Sequence, residues 1–208
     1  MSPIIRIPPR ILNQTKYRNR YSLLDLYRSY TWVPNALKLL RKNKASKEIS
    51  PTFIERMQLA VTEVNGCAVC SYAHTKMALG IGMSENEIYE LLGGETQAIP
   101  PSESIGIIYA QHFADRQGFP EASSVNHLKI TYGNSQALTL HAACQIMLAG
   151  NIYGLPLSSF FARFKGKSYK NSSIAYELVM ITFGIIILPF ALIHGLFLPV
   201  GLPFETTP

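Results

Sequence analysis

An all-α fold is the fold class that the sequence predicts, and three observations predict it. From Pro51 onward, apolar residues recur at the i, i+3, i+4, i+7 spacing that places them on one face of a helix. Glycines and capping residues separate these periodic segments at intervals of about one helix length. The alternation of apolar and polar residues that is typical of strands is essentially missing from the 208 residues.

Composition predicts one main domain with a high apolar content. The chain is 48% hydrophobic and 15% charged, which is too apolar for a disordered protein. Its three cysteines, two of them close together, do not make the disulfide framework of a secreted protein. The N-terminus also lacks the apolar run of a signal peptide. We therefore expect a cytoplasmic protein in a reducing environment.

Positive charge is concentrated in the first quarter of the chain. Residues 1–50 hold 11 of the 19 Lys and Arg but only two of the 13 Asp and Glu. We define residues 1–49 as the basic N-terminal arm, and we expect it to be helical. Such an arm can face anionic lipid, an acidic partner or simply solvent. Because no aromatic and basic motif of a nucleic-acid-binding module is present, we expect no nucleic-acid binding.

Local signals mark the ends of the predicted helices. In the arm, Pro34 should separate two short helices, because proline removes a backbone donor and crowds the preceding turn. Asn65-Gly66 should end the helix that begins at Pro51, and Gly150-Asn151 should stop the last helix of the domain. We define residues 50–165 as the helical domain. Its predicted helices span residues 51–65, 67–79, 84–92, 102–117 and 134–148.

Residues 178–200 differ in kind from the rest of the chain. These 23 residues contain no Asp, Glu, Lys or Arg, and a helix of that length can cross a hydrocarbon core about 30 Å thick. The basic residues between 163 and 170 form the flank that tends to stay on the cytoplasmic side. We place this segment in an apolar C-terminal helix over residues 174–203. Two interpretations stay open: an anchor that tethers the domain to the inner face of a membrane, or an interface between subunits.

Cys67, Cys70 and His74 form the candidate site. At about 100° per residue, positions i, i+3 and i+7 share one face of a helix. A thiolate in the first turn of a helix, beside an imidazole, has its pKa lowered from about 8.5. His74 can take up the thiol proton and return it. The pattern therefore indicates chemistry that cycles between a dithiol and a disulfide.

Other kinds of site fit the motif less well. A structural zinc site needs a fourth ligand, which the sequence does not show. Attachment of a c-type haem needs a His directly after the second Cys, where Ser71 stands. A thioredoxin-like site needs a strand before the motif, whereas helical periodicity precedes Cys67. We expect no metal and no cofactor, and simple packing of the two small side chains is the remaining alternative.

The spacing of the site residues resembles a family motif. Glu55, Cys67, Cys70 and His74 fit the pattern E-x11-C-x2-C-x3-H. With the lead-in VNGCAVCSYAH, they resemble the alkyl hydroperoxidase D-like branch of the carboxymuconolactone decarboxylase family. The resemblance covers residues 50–95 well and extends more loosely through the helices up to residue 151.

The resemblance implies an all-α, homo-oligomeric peroxidase or disulfide reductase that needs no cofactor for its thiol step. In such a protein Cys70 is the attacking thiolate, Cys67 closes the disulfide, and His74 with Glu55 relays protons. The substrate is a hydroperoxide or a disulfide, and the reductant is a dithiol such as a lipoyl or thioredoxin-like protein. The alternative is a membrane-associated binding or scaffold protein that keeps the family fold but does not catalyse a reaction.

Two departures separate this chain from the family pattern. Val69 stands where the best-studied peroxidases of the family have a His, and residues 178–200 lie outside the typical domain. The decarboxylase branch lacks the dithiol, so we do not expect decarboxylase activity.

Two carboxylates are candidates for the proton relay. Glu55 lies about 160° from the centre of the apolar stripe of its helix, so it faces either solvent or another helix. Glu63 lies one turn before Cys67. The family spacing selects Glu55. Elsewhere in the chain, His141 and Cys144 are predicted to form a buried structural pair.

Overall fold

The computed structural model describes residues 5–95, 97 and 99–204, and all regular structure among them is helical. This confirms the predicted all-α class. A short 3-10 turn over Pro101–Glu103 precedes the sixth α-helix. The α-helices are α1 Pro9–Leu12, α2 Leu23–Ser46, α3 Pro51–Asn65, α4 Ala68–Gly80, α5 Glu85–Gly93, α6 Ser104–Asp115, α7 Ala122–Arg163 and α8 Ile174–Leu196.

Helix α7 lies at the centre of the bundle. Helices α2, α3, α4, α6 and α8 all pack against it, and α3 also packs against α4, α5 and α6. The core between these helices is closed by large side chains without solvent exposure. They include Leu59, Leu92, Phe113, Leu128, Leu140 and Leu148.

Helix α2 runs without a break through Pro34, so the predicted separation into two short helices is wrong. At this point α2 rests closely on α8. A Cβ added to Gly195 would lie 2.2 Å from the carbonyl oxygen of Thr31. The side-chain amide of Asn35 also donates to the Gly195 carbonyl oxygen at 3.1 Å. Packing against a partner helix therefore outweighs the local cost of the proline.

Helix α7 extends well beyond its predicted end. It is interrupted at Gly133, which has a φ of 74°, and then continues through Gly150 and Asn151 to Arg163. The predicted stop at Gly150 is therefore wrong. Asn151 is buried in the bundle, where its amide nitrogen donates to the Val61 carbonyl oxygen at 3.4 Å. Small residues in this stretch permit close helix packing and do not end the helix.

The basic N-terminal arm binds the domain of its own chain. Arg10 forms an ion pair with Glu63. Arg18 donates to the carbonyl oxygens of Glu63 and Val64, at 2.6 and 3.2 Å. These carbonyls belong to the last turn of α3, where the negative end of the helix dipole attracts a cation. Part of the positive charge of the arm is thus used inside the molecule.

Helix α8 has one covered face and one exposed apolar face. On the covered face, a Cβ added to Gly184 would lie 2.6 Å from the ring of Tyr153. Glu177 is also covered, and its carboxylate accepts from Arg163 Nε at 2.6 Å. Within the described residues, α8 alone is long and apolar enough to cross a membrane. Its exposed large apolar side chains are Ile174, Leu178, Val179, Phe183, Ile185, Ile186, Phe190, Ile193 and Leu196.

Candidate active site

The cysteine pair lies where α3 ends and α4 begins. Gly66 adopts a φ of 70° and so turns the chain out of α3. Cys67 then has extended backbone and caps α4, with its Sγ accepting the Cys70 N–H at 3.3 Å. Cys70 lies in the first turn of α4. The two residues form a disulfide across Cα atoms that are 5.3 Å apart.

One face of α7 forms the floor beneath the two sulfurs. A Cβ added to Gly154 would lie 2.6 Å from Cys70 Sγ and 2.7 Å from Cys67 Sγ, so only glycine fits. One turn before it, the Gly150 carbonyl oxygen lies 3.6 Å from Cys70 Sγ. One turn after it, Ser158 Oγ lies 3.9 Å from Cys67 Sγ. Residues four apart share a helix face, so α7 meets the pair along a single stripe of small residues.

His74 and Glu55 form a close pair beside the cysteines. His74 Nδ1 and Glu55 Oε1 are 2.6 Å apart, and both side chains are largely buried between α3 and α4. An ionised carboxylate can only accept, so Nδ1 carries the hydrogen and Nε2 is the nitrogen that exchanges protons. His74 lies one turn beyond Cys70 on α4. The structure thus brings Glu55, Cys67, Cys70 and His74 together.

The two cysteines differ in their exposure to solvent. Cys70 retains 7% of its surface, whereas Cys67 retains none. A groove of about 520 Å³ adjoins the start of α4, and Val69, Ser158 and Phe161 are among the residues that line it. Of the two cysteines, Cys70 is therefore the one that retains exposed surface.

Glu63, the other candidate carboxylate, forms an ion pair with the basic N-terminal arm. Besides its ion pair with Arg10, its second oxygen lies 3.5 Å from the amide nitrogen of Gln111. The carboxylate that contacts His74 is therefore that of Glu55. The sequence spacing selected the same residue.

His141 and Cys144 are both buried on α7. The hydroxyl of Tyr109 and His141 Nδ1 are 2.6 Å apart. Burial lowers the pKa of His141 to about 4 and raises the pKa of Cys144 far above its ordinary value. Both groups are therefore neutral at physiological pH, which agrees with a structural pair.

No group of three or more His, Cys, Asp or Glu side chains in the described part of the chain could hold a metal ion. The dithiol and the His74–Glu55 pair require none for thiol chemistry. That the protein works without a cofactor remains a prediction.

The site thus consists of a cysteine pair beside a histidine–carboxylate pair in an all-helical bundle. Residues 33–98 match the carboxymuconolactone decarboxylase family. The match confirms the family resemblance over this segment, which is less than half of the chain. Assignment to the alkyl hydroperoxidase D-like branch remains a prediction. Comparison with curated proteins and with solved structures found no match.

The segment that matches the family contains all four motif residues but only part of the site. It begins within α2 and ends shortly after α5. Gly150, Gly154 and Ser158 lie beyond it on α7. Sequence reasoning missed these three residues as site residues. Their spacing of four, with a small residue at each position, is the signal that could have identified them.

Proposed function

We propose that the chain is a thiol-dependent oxidoreductase that cycles Cys67 and Cys70 between dithiol and disulfide. It reduces an organic hydroperoxide or a partner disulfide. The observation that carries this proposal is the cysteine pair seated on Gly154, one turn from the His74–Glu55 pair. Residues 33–98 match the carboxymuconolactone decarboxylase family, whose motif the four site residues resemble, and this match adds support.

The oxidative half of the cycle begins at Cys70. His74 takes the proton of the Cys70 thiol, and the thiolate attacks one peroxide oxygen. The S–O bond forms, the O–O bond breaks, and the leaving alkoxide takes the proton from His74 to become an alcohol. The Cys67 thiolate then attacks the resulting sulfenic acid at Cys70. The disulfide forms, and hydroxide leaves and is protonated to water.

The reductive half requires a partner that carries a dithiol, for which lipoyl and thioredoxin-like proteins are the proposed classes. Its thiolate attacks Cys70 Sγ, because Cys70 is the cysteine with exposed surface. A mixed disulfide forms, the bond between Cys67 and Cys70 breaks, and the electron pair remains on Cys67. The second thiol of the partner then releases Cys70.

Intact-mass measurement after a small excess of an organic hydroperoxide tests the proposal. The reduced native chain should lose two hydrogens, because the new disulfide replaces two thiols. Cys67→Ser should lose none and should gain oxygen at Cys70 instead. Cys144→Ser is the matched control and should behave as the native chain, because the Cys144 thiol is buried and un-ionised. A native chain that keeps both thiols free would refute the peroxidase activity.

We also propose that the exposed face of α8 contacts a lipid membrane. Between residues 178 and 196, Thr182 and His194 are the only polar side chains, and Nδ1 of His194 is bonded to the Tyr27 hydroxyl at 3.0 Å. Protein interfaces carry about one hydrogen bond per 100–200 Å². Lipid tails need none, so a face with so few donors and acceptors suits lipid better than a second subunit.

The packing of α2 favours an α8 that lies along the membrane surface. The Tyr176 hydroxyl donates to the Tyr21 carbonyl oxygen at 2.8 Å, and the Asn35 amide donates to the Leu198 carbonyl oxygen at 3.0 Å. Helix α2 therefore packs side by side with α8 from one end of α8 to the other. A crossing α8 would bring Arg28 of α2 into hydrocarbon, at a cost of about 2.5–3.5 kcal/mol. The exposed lysines of residues 165–170 suit anionic headgroups at the membrane surface.

Flotation with vesicles that contain anionic phospholipid tests this contact. The native chain should float with the vesicles, and Ile186→Glu should remain in solution because it puts a charge on the lipid-facing side of α8. Ile130→Glu is the matched control, since Ile130 is an even more exposed isoleucine on α7, and it should float. A native chain that does not float but forms an oligomer, which Ile186→Glu dissociates, would replace the membrane with a subunit interface.

A further inference from the structure

The two cysteine sulfurs face different polar groups. Cys67 Sγ accepts the backbone N–H of Cys70 at 3.3 Å and lies 3.9 Å from the hydroxyl oxygen of Ser158. Cys70 Sγ faces the carbonyl oxygen of Gly150 at 3.6 Å. Hydrogen-bond donors stabilise a thiolate, whereas a carbonyl oxygen can only accept from a protonated thiol. In the reduced protein these surroundings favour a thiolate at Cys67 and a neutral thiol at Cys70.

The Ser158 hydroxyl can serve as the second donor to Cys67. It is buried, its oxygen accepts the Val69 N–H at 3.2 Å, and its hydrogen goes to the Gly154 carbonyl oxygen at 2.8 Å. A helical serine bonded to the carbonyl four residues earlier can rotate its hydrogen to another acceptor. A thiolate, being charged, is a stronger acceptor than a carbonyl oxygen. The Val69 N–H would keep the oxygen in place during this rotation.

We propose that Ser158 holds the reduced Cys67 as a thiolate by turning its hydroxyl hydrogen from the Gly154 carbonyl oxygen to Cys67 Sγ. The proposal deepens the dithiol cycle proposed above and rests on it. Cys67 is then the resolving nucleophile that attacks the sulfenic acid of Cys70. It is also the leaving group when a partner thiolate attacks Cys70, because the electron pair of the broken S–S bond arrives at a sulfur with two donors.

This assignment gives His74 a defined task. Cys70 has a carbonyl oxygen as its polar neighbour on α7, so its thiol needs a base to become a nucleophile. His74 is one turn away and supplies that base. Cys67 needs no base of its own, because the Cys70 N–H and the Ser158 hydroxyl stabilise its ionised form.

The ionisation of Cys67 can be followed by ultraviolet thiolate absorbance in a Cys70→Ser background. That background keeps the backbone N–H of residue 70, and Cys144 stays un-ionised because burial raises its pKa. Adding Ser158→Ala should move the midpoint of Cys67 ionisation up by about 1 pH unit, the scale of one hydrogen bond to a charged group. Adding Ser158→Thr should preserve the native midpoint, since it retains the hydroxyl.

Ser71→Ala is the matched control for this titration. Ser71 is a buried serine whose hydroxyl donates to the Cys67 carbonyl oxygen at 2.9 Å and not to its sulfur. It should leave the midpoint unchanged. An unchanged midpoint in Ser158→Ala would overturn the proposal. Equal shifts in Ser158→Ala and Ser71→Ala would also overturn it, because they would indicate a general loosening of the site.

Equilibration of the full chain with glutathione buffers gives a second readout. Ser158→Ala should make the disulfide harder to reduce, by up to about tenfold in the equilibrium constant, or about 30 mV. These measurements do not depend on turnover. Consumption of peroxide without the predicted shifts would refute the role of Ser158 alone. The predicted shifts without any peroxide or disulfide reduction would refute the proposed function and leave the role of Ser158 intact.

Discussion

Gly154→Ala is expected to slow formation of the Cys67–Cys70 disulfide by about a hundredfold or more, the effect of misplacing reacting groups by about 1 Å. The new Cβ would lie 2.6 and 2.7 Å from the two sulfurs, closer than a side-chain carbon approaches any neighbour. Alanine is the better helix former by about 1 kcal/mol, so the change does not weaken α7 itself. The effect should appear as a slow loss of two hydrogens after hydroperoxide is added.

Gly150→Ala is the matched control for Gly154→Ala. It makes the same change one turn away, where an added Cβ would meet only Met147, at 3.9 Å. Its rate of disulfide formation should stay close to the native rate. If Gly154→Ala formed the disulfide as fast as Gly150→Ala, α7 could not be the floor of the site.

Glu55→Gln is expected to lower the rate of peroxide reduction by about a hundredfold, the lower range for loss of general acid–base catalysis. Glutamine keeps the size of the side chain but removes the negative charge that accepts the hydrogen bond of His74 and orients its ring. The pair is largely buried, so solvent replaces little of that charge. Stopped-flow measurement of peroxide consumption by the pre-reduced chain, in the absence of any reductant, isolates this step.

Glu63→Gln separates the two carboxylates that the sequence offered. It should lower thermal stability, because the buried side chain loses its ion pair with Arg10. The rate of peroxide reduction in the folded protein should remain near the native value. A larger fall in rate for Glu63→Gln than for Glu55→Gln would move the proton relay to Glu63.

The helices from Pro51 to Gly93 could be predicted because their signals are local. Ser50 and Ser84 cap α3 and α5 through their own side chains, and Gly66 and Gly94 end the same helices with positive φ values. These interactions involve residues only a few positions apart. Sequence patterns record them directly.

The errors fall where tertiary contacts decide the structure. Pro34 and Gly150 break helices in isolation, but α2 is held through Pro34 by α8, and α7 continues through Gly150 beneath the cysteines. No local pattern shows which distant helix will pack on a proline or a glycine. In both places, contacts with residues far away in sequence outweigh the low helix propensity of the proline or glycine.

The residues of the candidate site also fall into two groups, those that local spacing predicts and those that only tertiary contacts reveal. Cys67, Cys70 and His74 lie within two turns of one another, so their spacing alone predicted a cluster. Glu55 was selected by the family spacing, and the structure places it against His74 across two helices. Ser158 carries no signal of its own, because a serine inside a helix is ordinary until the residue that it faces is known.

Consecutive residues of α7 touch the sulfur pair and the apolar helix. Gly154 lies under the disulfide, and Tyr153 packs on Gly184 of α8. The rotation of α7 about its own axis is therefore fixed from both sides at once. A truncated chain that ended before Ile174 would remove this contact with α8 and leave Tyr153 packed on Tyr30 of α2. Kinetic constants measured on such a fragment would therefore describe a site whose floor has lost one of the helices that pack on it.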